Sequence, residues 1–375
     1  MAIRKKQPET SENKTTDEET PVIPPNEADF GGQQLDLFRA FLCNTDNERD
    51  QLSNTFDLWD SVPRYAVSRQ QMDKIRKEKG FLDLQQVEFH YRGTKLKTII
   101  QAARILDEKT GTTKDYYPSA NEELIEDALR KIAAEQRNAF FDKPNYRSGV
   151  VFSLHELREE LKRRGHTRSY QQIILSLNIL ARSTIEIRST NGKDGEKFAV
   201  SCYFSGLAAA SKYRLAEDPT AKWIVQFHPL VTQSIDSLTY RQFNYAQMMS
   251  HTSQLARWIH KQLSLKFTFA SLTTPFEMRY STIRRDSALL NNYSRGRKAI
   301  EALDEAWSEL IKNGVLLTTQ KSEVRGGRGK LEEVIYTLTP SLDFISAIKA
   351  ANKRENLAVG KKTDPVDHLQ NPKRR

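Results

Sequence analysis

The sequence predicts an α+β fold made of two tandem winged-helix domains between polar tails. Three observations predict it. Residues 287–339 read helix, helix, strand, Gly-rich connection, strand. The same order occurs once before, over residues 150–204, so the chain carries a degenerate internal repeat. Both ends of the 375-residue chain are polar and poor in apolar residues, a composition that leaves a segment disordered. The expected boundaries are a tail at 1–33, a linear motif and linker at 34–55, a first winged-helix domain at 56–220, a second at 221–350, and a basic disordered tail at 351–375. That last tail, with Lys353, Arg354, Lys361, Lys362, Lys373, Arg374 and Arg375, would add non-specific attraction to a polyanion.

Composition narrows the function. A net charge of +10 and a pI near 9.4 suit a polyanionic partner. No run of about 18 apolar residues appears, so no membrane partner is expected. The basic start, Met1 to Lys6, has no apolar stretch after it and does not read as a secretory signal. Cys43 and Cys202 lie far apart, which argues against a disulfide framework or a zinc site and suits a reducing, bacterial cytoplasmic location.

In chain order, Gln34-Leu35-Asp36-Leu37-Phe38 is the first apolar cluster. Two readings stand side by side: a linear motif that docks in a partner's pocket, or a short helix over 35–41 packing on its own domain. The similar string Gln262-Leu263-Ser264-Leu265 sits in a helical pattern and reads as core. Leu58, Trp59, Val62 and Tyr65 read as an apolar anchor at a domain edge. Val87, Phe89 and Tyr91 alternate with polar residues, Arg92-Gly93 turns, and residues 96–100 return as a second strand. Pro118 and Ser119 open a helix with Leu124, Ala128, Leu129 and Ile132 inward; its charged face is expected to be solvated.

The first winged helix starts with a strand at Val150-Val151-Phe152. Ser153 and Glu156 form a capping box for a helix that Gly165 ends. A second helix, about 169–182, buries Ile173, Ile174, Leu177 and Leu180 and carries Arg168, Tyr170 and Gln171 at its start. Residues 184–188 and 198–204 pair as strands around a tip at 191–195. Glu217-Asp218-Pro219-Thr220 reads as the linker between copies, after which Trp223 to Phe227 opens the second unit and Pro229 starts a short helix. Leu255, Ile259 and Leu263 mark a longer helix, and residues 282–285 a basic turn. A C-terminal helix near 342–350 places Leu342, Ile345 and Ile348 on one face.

The second copy carries the functional signal. Its presenting helix is expected to begin with Ser294 as N-cap, to bury Ile300, Leu303, Trp307, Leu310 and Ile311, and to stop at Gly314. Arg295, Arg297 and Lys298 crowd its first turn, where cations oppose the backbone dipole at a cost of a few tenths to ~1 kcal/mol each. An anion held outside the protein would compensate. The connection over 321–330 carries Arg325, Arg328 and Lys330 among three glycines. A helix with a basic start beside a basic, flexible wing suits double-stranded DNA, helix in the major groove and wing on the backbone. Arg295, Lys298, Arg325, Arg328 and Lys330 would contact phosphates, Arg297 and Asn292 base edges, and Arg284 lies close by. In the first copy, Arg168 and Tyr170 hold the matching place, but Asp194 and Glu196 nearly cancel Lys193 and Lys197 on its wing. That copy contributes to DNA contact, to self-association, to both, or is purely structural.

Two resemblances extend this reading. Gln34, Leu35, Leu37 and Phe38 resemble the pentapeptide by which bacterial proteins bind the replicative sliding clamp, where Gln meets the pocket rim and Leu-Phe fills an apolar cleft. Residues 56–69, Phe-Asp-Leu-Trp-Asp-Ser-Val-Pro-Arg-Tyr-Ala-Val-Ser-Arg, resemble the corresponding block of RepA-type plasmid replication initiators, related to TrfA-like proteins; the order of elements to about residue 345 is also similar. The resemblance implies two winged helices that bind directly repeated origin DNA (iterons), opening of the adjacent duplex, recruitment of the host replication initiator and helicase, and a homodimer that acts as autorepressor while the monomer initiates.

No enzyme and no cofactor is expected. A G-x-x-x-x-G-K-[ST] loop is missing, and His90, His155, His228 and His260 make no H-x-H pair of the kind that holds a nickase's metal. Tyr116-Tyr117 then reads as a packing pair, and Glu159-Glu160 as an exposed pair. A winged-helix transcription regulator without a replicative role is the alternative; the tail pentapeptide separates the two.

Overall fold

Two hydrophobic cores organise the computed structural model, which describes residues 50–107, 110–135, 139–142, 144–189, 197–211, 215 and 218–362. The first gathers side chains from Phe56 to Met249, the second from Leu255 to Ile348.

β1 (Leu52–Phe56), α1 (Asp57–Ser61) and α2 (Arg69–Lys79) lead into the hairpin β2 (Gln85–Tyr91) and β3 (Thr94–Gln101). Arg92 and Gly93 both take positive φ, 47° and 79°, the turn whose twist matches the strands it joins. A second hairpin, β4 (Ala103–Asp107) and β5 (Thr112–Tyr116), precedes α3 (Ala120–Glu135). The expected start of α3 holds: Ser119 donates to the Glu122 carboxylate through N at 2.9 Å and Oγ at 2.7 Å. β6 (Ala139–Asp142), β7 (Arg147–Ser153), α4 (Leu154–Arg163), α5 (Tyr170–Arg182), β8 (Thr184–Ser189), β9 (Lys197–Cys202), β10 (Phe204–Ala210) and β11 (Lys222–Phe227) follow. α4 and α5 both begin in capping boxes, Ser153 with Glu156 and Ser169 with Gln172. The strands form two antiparallel sheets, β2-β3-β8-β9 and β10-β11-β7-β6. β7 approaches β11 so closely that a Cβ on Gly149 would lie 2.0 Å from the Val225 carbonyl oxygen.

The turn expected to separate the units does not separate them. Asp218-Pro219-Thr220 precedes β11, which pairs with β10 on one side and β7 on the other; Glu217 lies outside the described residues. Trp223, Ile224 and Val225 are all buried, as a central strand requires, and Trp223, Val225 and Phe227 enter the first core. A polar, Pro-containing stretch serves a strand connection as well as a linker. The cores divide between Met249 and Leu255 instead.

α6 (Pro229–Asp236), β12 (Tyr240–Asn244), α7 (Tyr245–Met249) and α8 (Gln254–Lys266) come next, with β12 paired to β1. β13 (Phe276–Arg279), α9 (Tyr280–Ser287), a 3-10 turn at Leu289–Asn292, α10 (Gly296–Lys312), β14 (Leu316–Arg325), β15 (Leu331–Pro340) and α11 (Leu342–Lys362) complete the second winged helix around the sheet β13-β15-β14. The α+β, tandem winged-helix organisation is therefore present. Three details differ from expectation. Residues 282–285 belong to α9. Arg295, not Ser294, occupies the N-cap of α10. α11 runs past residue 350 to Lys362, because Arg241 pairs with Glu355 at 2.5 Å and Asn352 donates to the Thr268 carbonyl at 2.8 Å. On that helix Phe344 turns inward with Ile345 and Ile348, and Leu342 stays 67% exposed.

The charged face of α3 is the largest departure, since it is not solvated. Glu122, Glu123, Glu126, Asp127, Arg130 and Lys131 are all buried. Asp60 of α1 accepts from Arg130 Nη1 at 3.0 Å and Arg64 Nη2 at 3.1 Å. Glu126 accepts from Trp59 Nε1 at 2.5 Å, from Arg64 Nη2 at 3.0 Å and from the Tyr65 hydroxyl. From the second unit, Lys261 of α8 donates to Glu123 at 3.1 Å and Asp127 at 2.6 Å. Gln254 donates to Glu123 at 2.9 Å, and Gln262 to the Asp60 carbonyl at 2.9 Å. Burial opposes the charge on Asp60, yet Arg130, Arg64 and Lys261 hold its pKa below the usual carboxylate range. Burial likewise opposes Glu126, and Arg64 and Arg130 bring it down to about 2. At Asp127 burial prevails and the pKa rises. Glu160, expected to be exposed, is also buried, because Arg163 and Arg164 both pair with it.

Three histidines are buried as neutral groups. His228 stacks on Trp59 with ring centroids 4.2 Å apart, and His251 Nε2 meets His260 Nδ1 at 3.0 Å. Burial, with Arg64 beside it, takes His228 down to about 3; burial takes His251 to about 4 and His260 well below its ordinary value. A histidine with a depressed folded-state pKa costs nothing above about pH 6.5, where the unfolded chain is neutral too. Below that pH the unfolded chain binds protons that the folded chain refuses, and stability falls until pH reaches the folded-state pKa. Between pH 7 and pH 5 the protein is expected to lose roughly 2 kcal/mol of unfolding free energy for each of His228 and His251, with His260 acting in the same direction. Urea unfolding at the two pH values measures this; equal midpoints would contradict it.

Candidate nucleic-acid interface

α10 forms because Ala299, Ile300, Leu303, Ala306, Trp307 and Leu310 recur at helical spacing and bury one stripe. Trp307 packs on Tyr336 of β15 with ring centroids 5.4 Å apart. Ile311, expected in that stripe, lies at its margin and is 36% exposed. Gly314 ends the helix at φ 72°, as expected.

The two ends of α10 are treated differently. At the C-terminal end, Asn313 Nδ2 donates to His251 Nδ1 at 2.8 Å, which leaves His251 Nε2 to donate to His260. Gln247 Nε2 binds the Asn313 carbonyl at 2.8 Å, and Glu309 accepts from the amides of Thr252 and Ser253. At the N-terminal end Arg295 makes no side-chain cap, and Arg295, Arg297 and Lys298 are exposed. Arg297 Nε and Lys298 Nζ reach Glu301 at 3.2 and 2.7 Å. The Lys298 hydrogen bond, more than any other contact, lowers the Glu301 pKa.

β14 and β15 form the wing, with a tip at Gly327–Gly329. Gly326 N donates to the Lys330 carbonyl at 2.9 Å. Arg325 bonds the Gly329 carbonyl at 3.1 Å and Glu323 at 2.5 Å. Asp304 of α10 ties the wing to the helix: Lys321 Nζ binds one of its oxygens at 2.6 Å and the Tyr336 hydroxyl the other at 2.7 Å. Helix start and wing thus face one open groove of ≈ 860 Å³, lined by Arg284, Arg297, Lys321, Arg325 and Lys330 together with the carboxylates of Glu301, Asp304, Glu323, Glu332 and Glu333. The Arg328 side chain lies outside the described part of the chain.

Other expected site residues are not brought to this groove. Asn292 Nδ2 donates to the Ala66 carbonyl of the first unit at 2.9 Å, and so pins α10's approach instead of projecting from it. Arg168 donates to Asn121 Oδ1 through Nε at 3.1 Å and Nη2 at 2.9 Å, joining α5 to α3. Tyr170 is half-buried under the Arg158 guanidinium, 4.8 Å from its ring centre. Gln34, Leu35, Leu37 and Phe38, and the first wing's Lys193, Asp194 and Glu196, lie outside the described residues.

Sequence reasoning missed Glu301, Asp304, Lys321 and Glu323, all in the groove. The available signal was their spacing: residues 297, 301, 304 and 308 run along the side of α10 opposite Leu303 and Leu310. Among the described residues no group of His, Cys, Asp and Glu is placed to hold a metal ion, and no helix is long and apolar enough to cross a membrane.

Among solved structures the chain is similar to a crystal structure of selenomethionine derivatives of domains 2 and 3 of RctB, at 10% identity and TM-score 0.47, covering 75% of this chain and 97% of that one. It is similar to a second RctB structure, residues 155–483, at 11% identity and TM-score 0.45, covering 78% and 99%. It is also similar to the Pi initiator protein in complex with iteron DNA, at 11% identity and TM-score 0.32, covering 79% and 99%. No family model and no curated protein matches the sequence.

Proposed function

We propose that this chain is a replication initiator that binds directly repeated duplex DNA through its second winged helix, with the first as a supporting frame. One observation carries the DNA reading: Arg297 at the exposed start of α10 and Arg325 and Lys330 of the wing line the same groove. α10 enters the major groove start first, where Arg297 reads a base edge. Arg295, Lys298, Arg325, Arg328 and Lys330 hold phosphates and fix the register. No covalent step is involved. Occupying neighbouring repeats bends the duplex and strains an adjacent A·T-rich segment toward opening.

The replicative part of the proposal rests on the resemblance of residues 56–69 and of the tail pentapeptide. Gln34, Leu35, Leu37 and Phe38 dock on the sliding clamp, host initiator and helicase are recruited at the opened segment, and a homodimer represses its own gene.

Footprinting on DNA flanking the chain's own gene tests the reading. Regularly spaced protected repeats are expected, and one lone palindrome would favour a simple repressor. On such repeats Arg297→Ala is expected to weaken specific binding by ~1–3 kcal/mol, while Lys330→Ala weakens all duplexes about equally and flattens the salt slope. Equal losses on repeat and random DNA for Arg297→Ala would remove it from base readout. Leu37→Ala with Phe38→Ala is expected to abolish retention on immobilised clamp at unchanged DNA affinity; wild-type retention would retire the motif.

A further inference from the structure

The outward stripe of α10 carries carboxylates where a surface built only to hold phosphate would carry cations. Glu301 sits one turn after Arg297, on the side away from the buried stripe, and lines the groove toward the wing. The Arg297 side chain is 90% exposed and that of Glu301 41%. A carboxylate carried between two phosphate strands is repelled by both. Arg297 and Lys298 offset part of that repulsion, and the carboxylate favours a complex where it also meets a hydrogen-bond donor on the duplex.

We propose that Glu301 is a specificity residue that accepts a hydrogen bond from the N4 amino group of a cytosine, in a base pair within about two steps of the one Arg297 reads. This rests on the DNA reading above. Two amino groups face the major groove, cytosine N4 and adenine N6. Adenine N6 lies beside the N7 acceptor, which repels a carboxylate and suits a side-chain amide instead. Cytosine N4 has an acceptor, the paired guanine's O6, on one side only and the C5–H on the other, whereas adenine N6 is flanked by acceptors on both sides, so cytosine is the base that fits. Four residues along a helix span about 6 Å, or roughly two base-pair steps, so the two side chains reach base pairs no more than about two steps apart. The ion pair between them prepares both. It uses Arg297 Nε, at 3.2 Å from Glu301 Oε1, and leaves the two terminal nitrogens to fork onto a guanine. Lys298 Nζ holds the other carboxylate oxygen at 2.7 Å. At guanine or thymine the same carboxylate meets acceptors or a methyl group, and at adenine an amino group flanked by acceptors, so Glu301 also acts against wrong sequences.

The test is selection from a randomised duplex pool, with sequencing of the bound fraction, for wild type, Glu301→Ala, Glu301→Gln and Arg297→Ala. Glu301 is a surface residue, so these variants should fold, and circular dichroism checks it. The expected result is one cytosine column that Glu301→Ala loses while keeping the guanine column that Arg297→Ala loses. In competition at that position, the preference for cytosine over thymine should fall on the order of 10-fold. Affinity of Glu301→Ala for random duplex should rise. Glu301→Gln should shift the column toward adenine. If Glu301→Ala keeps every column, or loses only the column that Arg297→Ala loses, the carboxylate merely orients its neighbours and the proposal is overturned. If wild type retains no duplex at all, the DNA reading itself fails, a result distinct from either.

Discussion

The Lys261 ammonium, held between Glu123 and Asp127, is the contact on which the rest of the structure depends. It sits on the helix that opens the second core and reaches carboxylates on the central helix of the first. Apolar surfaces tolerate a small slide; buried charges do not, because any displacement strands a charge without its partner. Arg64, Arg130, Asp60 and Glu126 extend the same network behind it, each with more than one partner. The network therefore specifies how the two winged helices sit against each other. α8 passes that placement to α10 through His251, His260 and Asn313, which grip the closed end of the helix.

The free end of α10 shows the opposite economy. Inside the protein, charges are matched at considerable desolvation cost; at Arg295, Arg297 and Lys298 they are left against the helix dipole with only Glu301 nearby. Local stability is given up where a ligand of opposite charge can restore it. The first copy differs at the same place: Arg168 is engaged with Asn121, and Tyr170 lies under Arg158. Under the proposed function one copy supports and the other presents, although both follow the same order of helices and strands.

Much of the fold was legible because its signals are local. Ser153 with Glu156, Arg92-Gly93, Pro118-Ser119 and Gly314 each mark a boundary through their own backbone or cap chemistry, and each stands where expected. The proposed site was legible only as a cationic helix start beside a wing that carries Arg325 and Lys330. What was not legible depends on distant partners. The charges of α3 have the spacing of a solvated face, and only the arrival of Lys261 and Arg64 makes them interior. Trp223 to Phe227 looked like the start of a unit until β7 and β10 flanked it. Asn292 and Arg168 have the right chemistry for DNA, but Ala66 and Asn121 occupy them. Glu301 was passed over because a carboxylate on a basic helix reads as ordinary surface balance.

Calorimetric unfolding of Lys261→Met tests the central claim most directly. The side chain keeps its length and loses its charge, leaving Glu123 and Asp127 buried without their shared partner. The account predicts a loss of ~3–5 kcal/mol and the splitting of one cooperative transition into two, one for each core. A single transition at the wild-type temperature would contradict it.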